Sequence, residues 1–373
     1  MIVEEFSSLL SEICSRTSLA GERPVLWTII ANPSAGGFTI KSRWTRHKSM
    51  LVNSVLRAKE KPLKMGNSPS RTAGNSGLIL TKNRGHAGEI VNNLISEAAS
   101  KDADEQKPFY LIITAGGDGT SLEAMNSLYY APCEIQQNFA ILRLPMGTGN
   151  DGSDSRFLDK ALDLLIDPVE IKLRRAISLK PKGGKEPFLA FNILSVGLDA
   201  FVTHMTNRMK GRLPGDSYKL WVDIAALFYD LVYKVDFMDI RSFDEAGNEL
   251  GSLREKLLLL AVGESGRRSY GSQKWILPDE RNVCAIKQMS VFRKLFLKEL
   301  FSTGKHIHEK ESLLWNASRI EFNPRHPILA QMDGETVLLD EKDYPAIIEL
   351  SKPVIPVLVK KGGGLPNGEK AIK

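Results

Sequence analysis

The sequence predicts an α/β protein of two domains, the first organised on a parallel sheet and the second mainly antiparallel β. Three observations carry that expectation. Apolar, β-branched runs alternate with helix-length segments from Val25 to about Ile166, the βα rhythm of a parallel sheet covered by helices on both faces. Two glycine-rich turns, Gly116-Gly117-Asp118-Gly119-Thr120 and Pro145-Met146-Gly147-Thr148-Gly149-Asn150-Asp151, each follow one of those runs. After Asp167-Pro168 the rhythm gives way to short strand-like segments separated by turns. At 373 residues the chain is too long for one typical core,.

Ile2, Phe6, Leu9, Leu10 and Ile13 recur at helical spacing, so segment 1–22 opens with an amphipathic helix that packs on the first domain and is ended by Gly21 and Pro24,. The first domain is expected over 23–167. It begins with a strand at 25–31 and a basic helix at 41–58. Residues 59–77 are polar and rich in Gly, Pro, Ser and Asn with almost nothing to bury, which predicts a mobile insertion,. Strands at 78–81, 109–115 and 139–144 then alternate with helices at 86–99, 121–130 and 154–166. The second domain, over 168–337, is expected to hold strands at 169–179, 188–195, 236–243, 256–262, 283–289, 318–322 and 328–332, with helices at 199–209 and 216–234. The apolar run Pro353–Val359 closes the fold, and 361–373 reads as a disordered tail,.

A hydrophobic fraction of 42% and a charged fraction of 25% are those of a soluble globular protein,. The net charge of +6 and pI near 9.0 suit an anionic partner: nucleotide, nucleic acid or an acidic membrane surface,. The charge is spread along the chain, so nucleic acid gains no special support. Cys14, Cys133 and Cys284 are odd in number and far apart, unlike a disulfide framework or zinc site, and a reducing cytosol is the expected location,. The first twenty residues carry Glu4, Glu5 and Glu12 and no basic region, unlike a signal peptide,. The longest apolar stretch, Leu220–Val235, is interrupted by Asp223 and Asp230, so any membrane contact is expected to be peripheral,.

The glycine turns point to chemistry. Glycine permits positive φ and close approach of backbone N–H groups to a ligand, which is how a loop cradles phosphate. In open α/β sheets such loops sit where ligands bind. Gly116, Gly117, Gly119 and Thr120 offer backbone and hydroxyl contacts. Asp118 and Asp151 bring carboxylates to the same place, which is unfavourable beside phosphate unless a metal bridges them or a proton must be taken. Mg²⁺-assisted phosphoryl transfer satisfies both conditions. Lys172, Arg174 and Arg175, and Arg208, Lys210 and Arg212, read as solvated basic faces. His306 and His308 alternate along a strand and, lacking a third ligand, read as an exposed pair.

At these turns the chain resembles the diacylglycerol kinase catalytic family, which includes sphingosine and ceramide kinases and bacterial lipid kinases. Ile29–Gly37 resembles the family's first strand and Asn-Pro-x-(Ser)-Gly loop, and Leu80-Thr81 with Gly85-His86-Ala87 its Thr-…-His-Ala segment. Thr120–Asn126 resembles the helix opening after the first glycine turn. Phe191-Asn192-Ile193 through Ser195–Ala200 looks like the first strand and turn of the lipid-binding domain, and Gln331–Glu335 like its late Asp-Gly-Glu. The resemblance spans about 25–360. It implies a Rossmann-like first domain to which the C-terminal segment, about 338–360, returns. It implies ATP and Mg²⁺ as cofactors. Asn32, Pro33, Ser34, Thr81, Gly147, Thr148 and Gly149 join the first glycine turn at the nucleotide. Asp118 and Glu335 are the implied catalytic carboxylates, Asp118, Asp151 and Glu335 the water-mediated metal set, and Asp199 a contact to the acceptor. In the sphingosine branch the residue matching Asp118 is assigned to the acceptor hydroxyl, and in bacterial lipid kinases to a Mg²⁺–water network; both roles stay open.

The acceptor implied is a lipid at an anionic membrane surface, with no nucleic-acid partner and with a homodimer allowed. One region departs from the family pattern. Gly263–Gly271 and Pro278–Asn282 replace the usual Gly-rich and Pro-x-Ala wall of the lipid pocket, and Arg267 and Arg268 there suit a polar or phosphorylated acceptor. Two further readings are therefore carried: NAD-kinase-like phosphorylation of a soluble acceptor, and a non-catalytic nucleotide-binding protein.

Overall fold

The computed structural model describes residues 2–100, 107–147, 149–184, 186–209, 226–270 and 274–361. The chain forms two compact units, one from Met1–Arg174 and the stretch beginning at Pro353, the other from Arg175–Lys352.

The first unit is built on a mixed sheet. In order, its strands are Ser68–Pro69, Val25–Ala31, Phe109–Gly116, Phe139–Pro145, Ile355–Lys360 and Val169–Arg174, with Leu78–Leu80 also pairing Val25–Ala31. The pairings through Phe139–Pro145 and on to Ile355–Lys360 are parallel, and only Val169–Arg174 runs antiparallel, at the edge. The central strands are continuous apolar runs because both their faces are covered. Trp27, Ile29, Leu111, Ile113 and Leu142 share a core with Phe6, Leu10 and Leu51 of the helices Ile2–Cys14 and Lys41–Lys59, while the alternate residues Ile30, Ile112 and Ile141 are equally buried. The expected N-terminal helix is thus part of the core, with the Phe6 ring edge-on to Phe38 at 5.2 Å.

Residues 59–77 differ from expectation. Ser68–Pro69 adds a short parallel strand against Leu26 and Trp27, and Ser70 and Ala73 are buried. The Asn67 side chain accepts from Val25 N at 2.9 Å and donates to the Cys14 and Thr17 carbonyls at 3.2 and 2.9 Å. Polar side chains order this segment through hydrogen bonds, which a reading based on apolar content overlooks.

The second unit's main sheet runs Glu335–Leu339, Ile328–Met332, Ile193–Gly197, Glu249–Gly263, Phe237–Phe243, Arg319–Pro324, Ala346–Leu350, Ile177–Lys180 and Phe188–Ala190, with Val283–Lys287 and Ser312–Trp315 branching from the long strand. All these pairings are antiparallel. Three boundaries move. The single strand expected at 169–179 is two: Val169–Arg174 pairs Ile355–Lys360 in the first unit, and Ile177–Lys180 pairs Ala346–Leu350 in the second. Division therefore falls after Arg174 rather than 167, and 338–352 stays in the second unit. Alternation along a strand says which side is buried but not which sheet it joins.

The helix expected at 199–209 is Leu198–Met209. Of 216–234, residues 216–225 lie outside the described residues, as do Lys210, Arg212 and 362–373; Tyr229–Val232 is helical. The histidine pair is corrected as well. Lys305–His308 is a 3-10 turn in which His306 is fully buried, stacked on Phe301 at 4.1 Å, while His308 is exposed.

Candidate active site

Three loops leave the carboxyl ends of three adjacent parallel strands in the first unit, and glycine lets them touch. At Gly116 a Cβ would sit 2.5 Å from Thr120 Oγ1, and at Gly147 it would sit 2.6 Å from the Gly117 Cα and 3.2 Å from the Gly116 carbonyl. At Gly37 it would fall 2.9 Å from the Met146 carbonyl, which accepts from Gly37 N at 2.8 Å. Any side chain would separate these turns. Asn32 is held by its N–H on the Ala115 carbonyl at 3.0 Å, and its Oδ1 accepts from Ser34 N at 2.9 Å. Thr81 N donates to the Ala31 carbonyl at 2.9 Å, which brings Thr81 to the same edge. The structure therefore gathers Asn32, Pro33, Ser34, Thr81, Gly116, Gly117, Gly119, Thr120, Gly147 and Gly149 at one end of one sheet. Thr148 lies outside the described residues.

Gly117 is extended and caps the helix Asp118–Tyr129, and a Cβ placed on it would meet no atom within 4 Å. That open space lies at the start of the helix, the positive end of its dipole, where the leading N–H groups of a helix lack partners in the preceding turn,. Asp118 stands at the helix start. Its Oδ1 accepts from Gly152 N at 2.9 Å. Burial pushes its carboxyl above the usual carboxylate range, while the N–H groups of Gly152, Asp151 and Asn150 and the charge of Arg143 pull the other way,. A Cβ on Gly149 would lie 2.9 Å from Asp118 Oδ2 and 3.6 Å from Asp151 Oδ2, so both carboxylates converge on that glycine.

Two residues that shape this loop escaped the sequence reading. Arg143 and Asp154 form a fully buried ion pair, Nη2 to Oδ1 at 2.6 Å, and Asp154 also accepts from Arg143 N at 2.7 Å. Asp154 N returns a bond to the Arg143 carbonyl at 3.0 Å, pinning residues 144–153 at their base. The available signal was an arginine inside the apolar run Ala140–Leu144. Asn150, with φ of 60°, ties the same loop through Nδ2 to the Pro145 and Gly147 carbonyls at 3.3 and 3.1 Å.

In the second unit, Asp333 accepts backbone N–H bonds from Phe191, Asn192 and Ile193 at 2.5, 3.1 and 3.0 Å and is buried. The Asp of Asp-Gly-Glu is therefore an anchor for its turn. Gly334, with φ of 101°, completes that turn, and Glu335 begins the strand paired with Met332. Asp199, in the first turn of Leu198–Met209, accepts at Oδ2 from Ser195 Oγ at 2.6 Å and from Gln331 Nε2 at 3.3 Å. Gln331 also donates to Ser195 Oγ at 3.0 Å and accepts from Gly334 N at 3.0 Å. Burial raises the Asp199 carboxyl, opposed by Ser195, Lys274 and Gln331.

Asp199 lines a cavity of about 130 Å³ whose walls are mainly apolar, among them Leu198, Val202, Leu258 and Leu297, with Lys274, Lys294 and Lys298 also in the lining. In the altered region 263–282 both arginines are already paired with acidic side chains. Arg267 pairs with Glu280 at 2.6 Å, and Arg268 is buried against Glu264 and Ser265. This corrects the expectation that the two arginines suit a phosphorylated acceptor. Of the basic strand, Lys172 is solvated and pairs with Glu170 at 2.9 Å, Arg175 pairs with Glu245, and Arg174 departs from the expected solvated face by being buried.

Residues 26–170 match the model of the diacylglycerol kinase catalytic domain. That span holds every first-unit site residue and ends before Asp199 and Glu335. No curated protein matches the chain in sequence. Among solved structures the chain is similar to a candidate diacylglycerol kinase from Bacillus anthracis str. Sterne, at 18% identity and a TM-score of 0.54, over 90% of this chain and 94% of that one. A diacylglycerol kinase structure from the same organism is similar at 15% identity and a TM-score of 0.51, over 90% of this chain and 96% of that one. At such identities the likeness is one of fold.

Proposed function

Residues 26–170 belong to the diacylglycerol kinase catalytic domain family, and on that premise we propose that this kinase transfers the γ-phosphoryl group of ATP to the hydroxyl of a diacylglycerol- or sphingoid-like lipid. The observation that carries the reading is Asp118 held by the N–H groups of the 150–152 loop beside two glycine turns in contact. The turns and the helix start supply donors to the phosphate chain without spending a cationic side chain.

Asp118 and Asp151 converge on Gly149 with hard oxygen donors, which fits Mg²⁺, an ion that keeps several waters and uses one or two carboxylates together with substrate phosphates,. Bound there, it would neutralise charge on the transferring phosphoryl group. Glu335 is the further carboxylate of this reading, through water to the metal or as base. Asp118, raised by burial, is suited to take or position the acceptor proton, because a catalytic carboxylate works best with its pKa moved toward the operating pH,. Asp199 orients the acceptor head group from the lining of the mainly apolar cavity, which also holds Lys274, Lys294 and Lys298. Those walls favour a lipid over a soluble dinucleotide.

The test is transfer from labelled ATP to a panel of diacylglycerols, sphingoid bases and NAD. Wild-type protein is expected to label a lipid, and Asp118→Asn and Glu335→Gln to lower kcat by about a hundredfold or more with thermal stability nearly unchanged. Label on NAD alone, or full activity in Asp118→Asn, overturns the reading.

A further inference from the structure

The helix Val291–Thr303 has two apolar faces; among the described residues one is buried and the other stays largely exposed, although the Arg293 guanidinium lies over the Phe296 ring at 5.0 Å. Leu297 is buried, and with Phe301 it lines the cavity beside Asp199. On the other face Phe292 is 85%, Leu295 44% and Phe296 51% exposed, at the i, i+3, i+4 spacing of one helical stripe,. Phe228 adds a further ring, 46% exposed, next to Leu227, whose carbonyl accepts from Lys294 Nζ at 3.2 Å. Single exposed apolar residues are ordinary, but a helical stripe of two phenylalanines and a leucine, with a further exposed phenylalanine on the neighbouring segment, marks an interaction surface,.

The segment from 291 to 305 carries Arg293, Lys294, Lys298 and Lys305 against Glu299 alone. Arg293 and Lys294 are engaged by Glu311 and Asp230. Aromatic and leucine side chains on one stripe with lysine and arginine beside them are the composition of a helix that lies in a membrane interface.

We propose that this face of Val291–Thr303 seats in the surface of an anionic lipid bilayer. Continuity with the cavity identifies the occupant. The inner face of the same helix forms the cavity wall, so a bilayer on the outer face stands one helix diameter, about 10 Å, from the place where the acceptor is read to bind,. The inference rests on the lipid-acceptor reading of the cavity, yet its test needs no turnover.

Full-length protein is sedimented with phosphatidylcholine–phosphatidylglycerol vesicles and compared with Phe292→Ser/Phe296→Ser, and with Leu250→Ser as a control for an exposed apolar residue elsewhere in the same unit. The double variant is expected to bind about tenfold or more weakly while melting like wild type, and the control to bind normally. Wild-type binding should weaken as salt rises. Equal binding by the double variant, no vesicle binding by wild type, or a wild-type dimer that the double variant dissolves overturns the proposal. If vesicle binding follows the expectation while no lipid in detergent micelles is phosphorylated, the acceptor reading fails and this surface stands.

Discussion

Gln331 and Asp199 are joined by a hydrogen bond of 3.3 Å from Nε2 to Oδ2, and the same Gln331 receives the N–H of Gly334 at 3.0 Å. One fully buried amide therefore fixes both the carboxylate assigned to the acceptor and the turn that precedes Glu335. It is a positioning residue, and the kinetics should separate that role from a purely structural one.

Gln331→Leu is expected to lower kcat/KM for the acceptor by about tenfold or more, the scale of one hydrogen bond to a charged group, while leaving the KM for ATP unchanged. Folding stability should fall by about 1–3 kcal/mol because Ser195 and Gly334 lose a partner. Steady-state kinetics varying each substrate in turn checks it. Equal effects on both substrates would assign Gln331 to stability alone.

Gly117 and Gly147 predict opposite kinds of damage. Gly147→Ala must push the two glycine turns apart, since its Cβ would lie 2.6 Å from the Gly117 Cα, and should cost about 1–3 kcal/mol as well as nucleotide affinity,. Gly117→Ala meets no atom within 4 Å, so stability should change by less than about 1 kcal/mol,. Its methyl group would nevertheless occupy the space assigned to phosphate. Calorimetric titration with ATP should show weaker binding for both variants, with chemical denaturation distinguishing them.

Arg143→Met leaves Asp154 buried without its counter-charge and should destabilise the first unit by about 3–5 kcal/mol,. Adding Asp154→Leu removes the orphaned charge, so the double variant should recover part of that loss in urea unfolding. ATP binding should stay impaired in both, because residues 144–153 lose the clamp at their base.

His306 predicts a pH effect. Burial lowers its imidazole from an ordinary value near 6.5 to about 4, so the folded protein keeps it neutral while the unfolded chain takes up a proton first. Stability is then present in full above about 6.5, falls as pH drops toward about 4, and stops falling through this group below that. His306→Gln should be less stable at neutral pH, and the gap to wild type should narrow between those limits by up to about 1.4 kcal/mol per pH unit. A gap that stays constant with pH would show that His306 is not titrating as its burial demands.

Local order was legible in the sequence wherever it depends on neighbours along the chain. The helix Ile2–Cys14, the strands Val25–Ala31, Phe109–Gly116 and Phe139–Pro145, and the helix Leu198–Met209 all follow from periodicity and turn chemistry. The glycine turns were legible as close-contact loops at strand ends because their residue types are local, and the structure brings them together as such.

Only the tertiary structure decided what depends on residues far apart. The alternation of 169–179 could not say that the strand parts at Arg175, because hydrogen-bonding partners come from 346–360. Nor could composition show that Arg267 and Arg268 are neutralised by Glu280 and Glu264, that His306 is buried, or that 59–77 adds a strand. The sequence by itself determined periodic faces and the residue types at the turns, since those are set by backbone geometry over a few residues. Sheet membership, charge pairing and burial are properties of long-range packing, and so the state of Asp118, Asp199 and Gln331 was decided only when the chain closed around them.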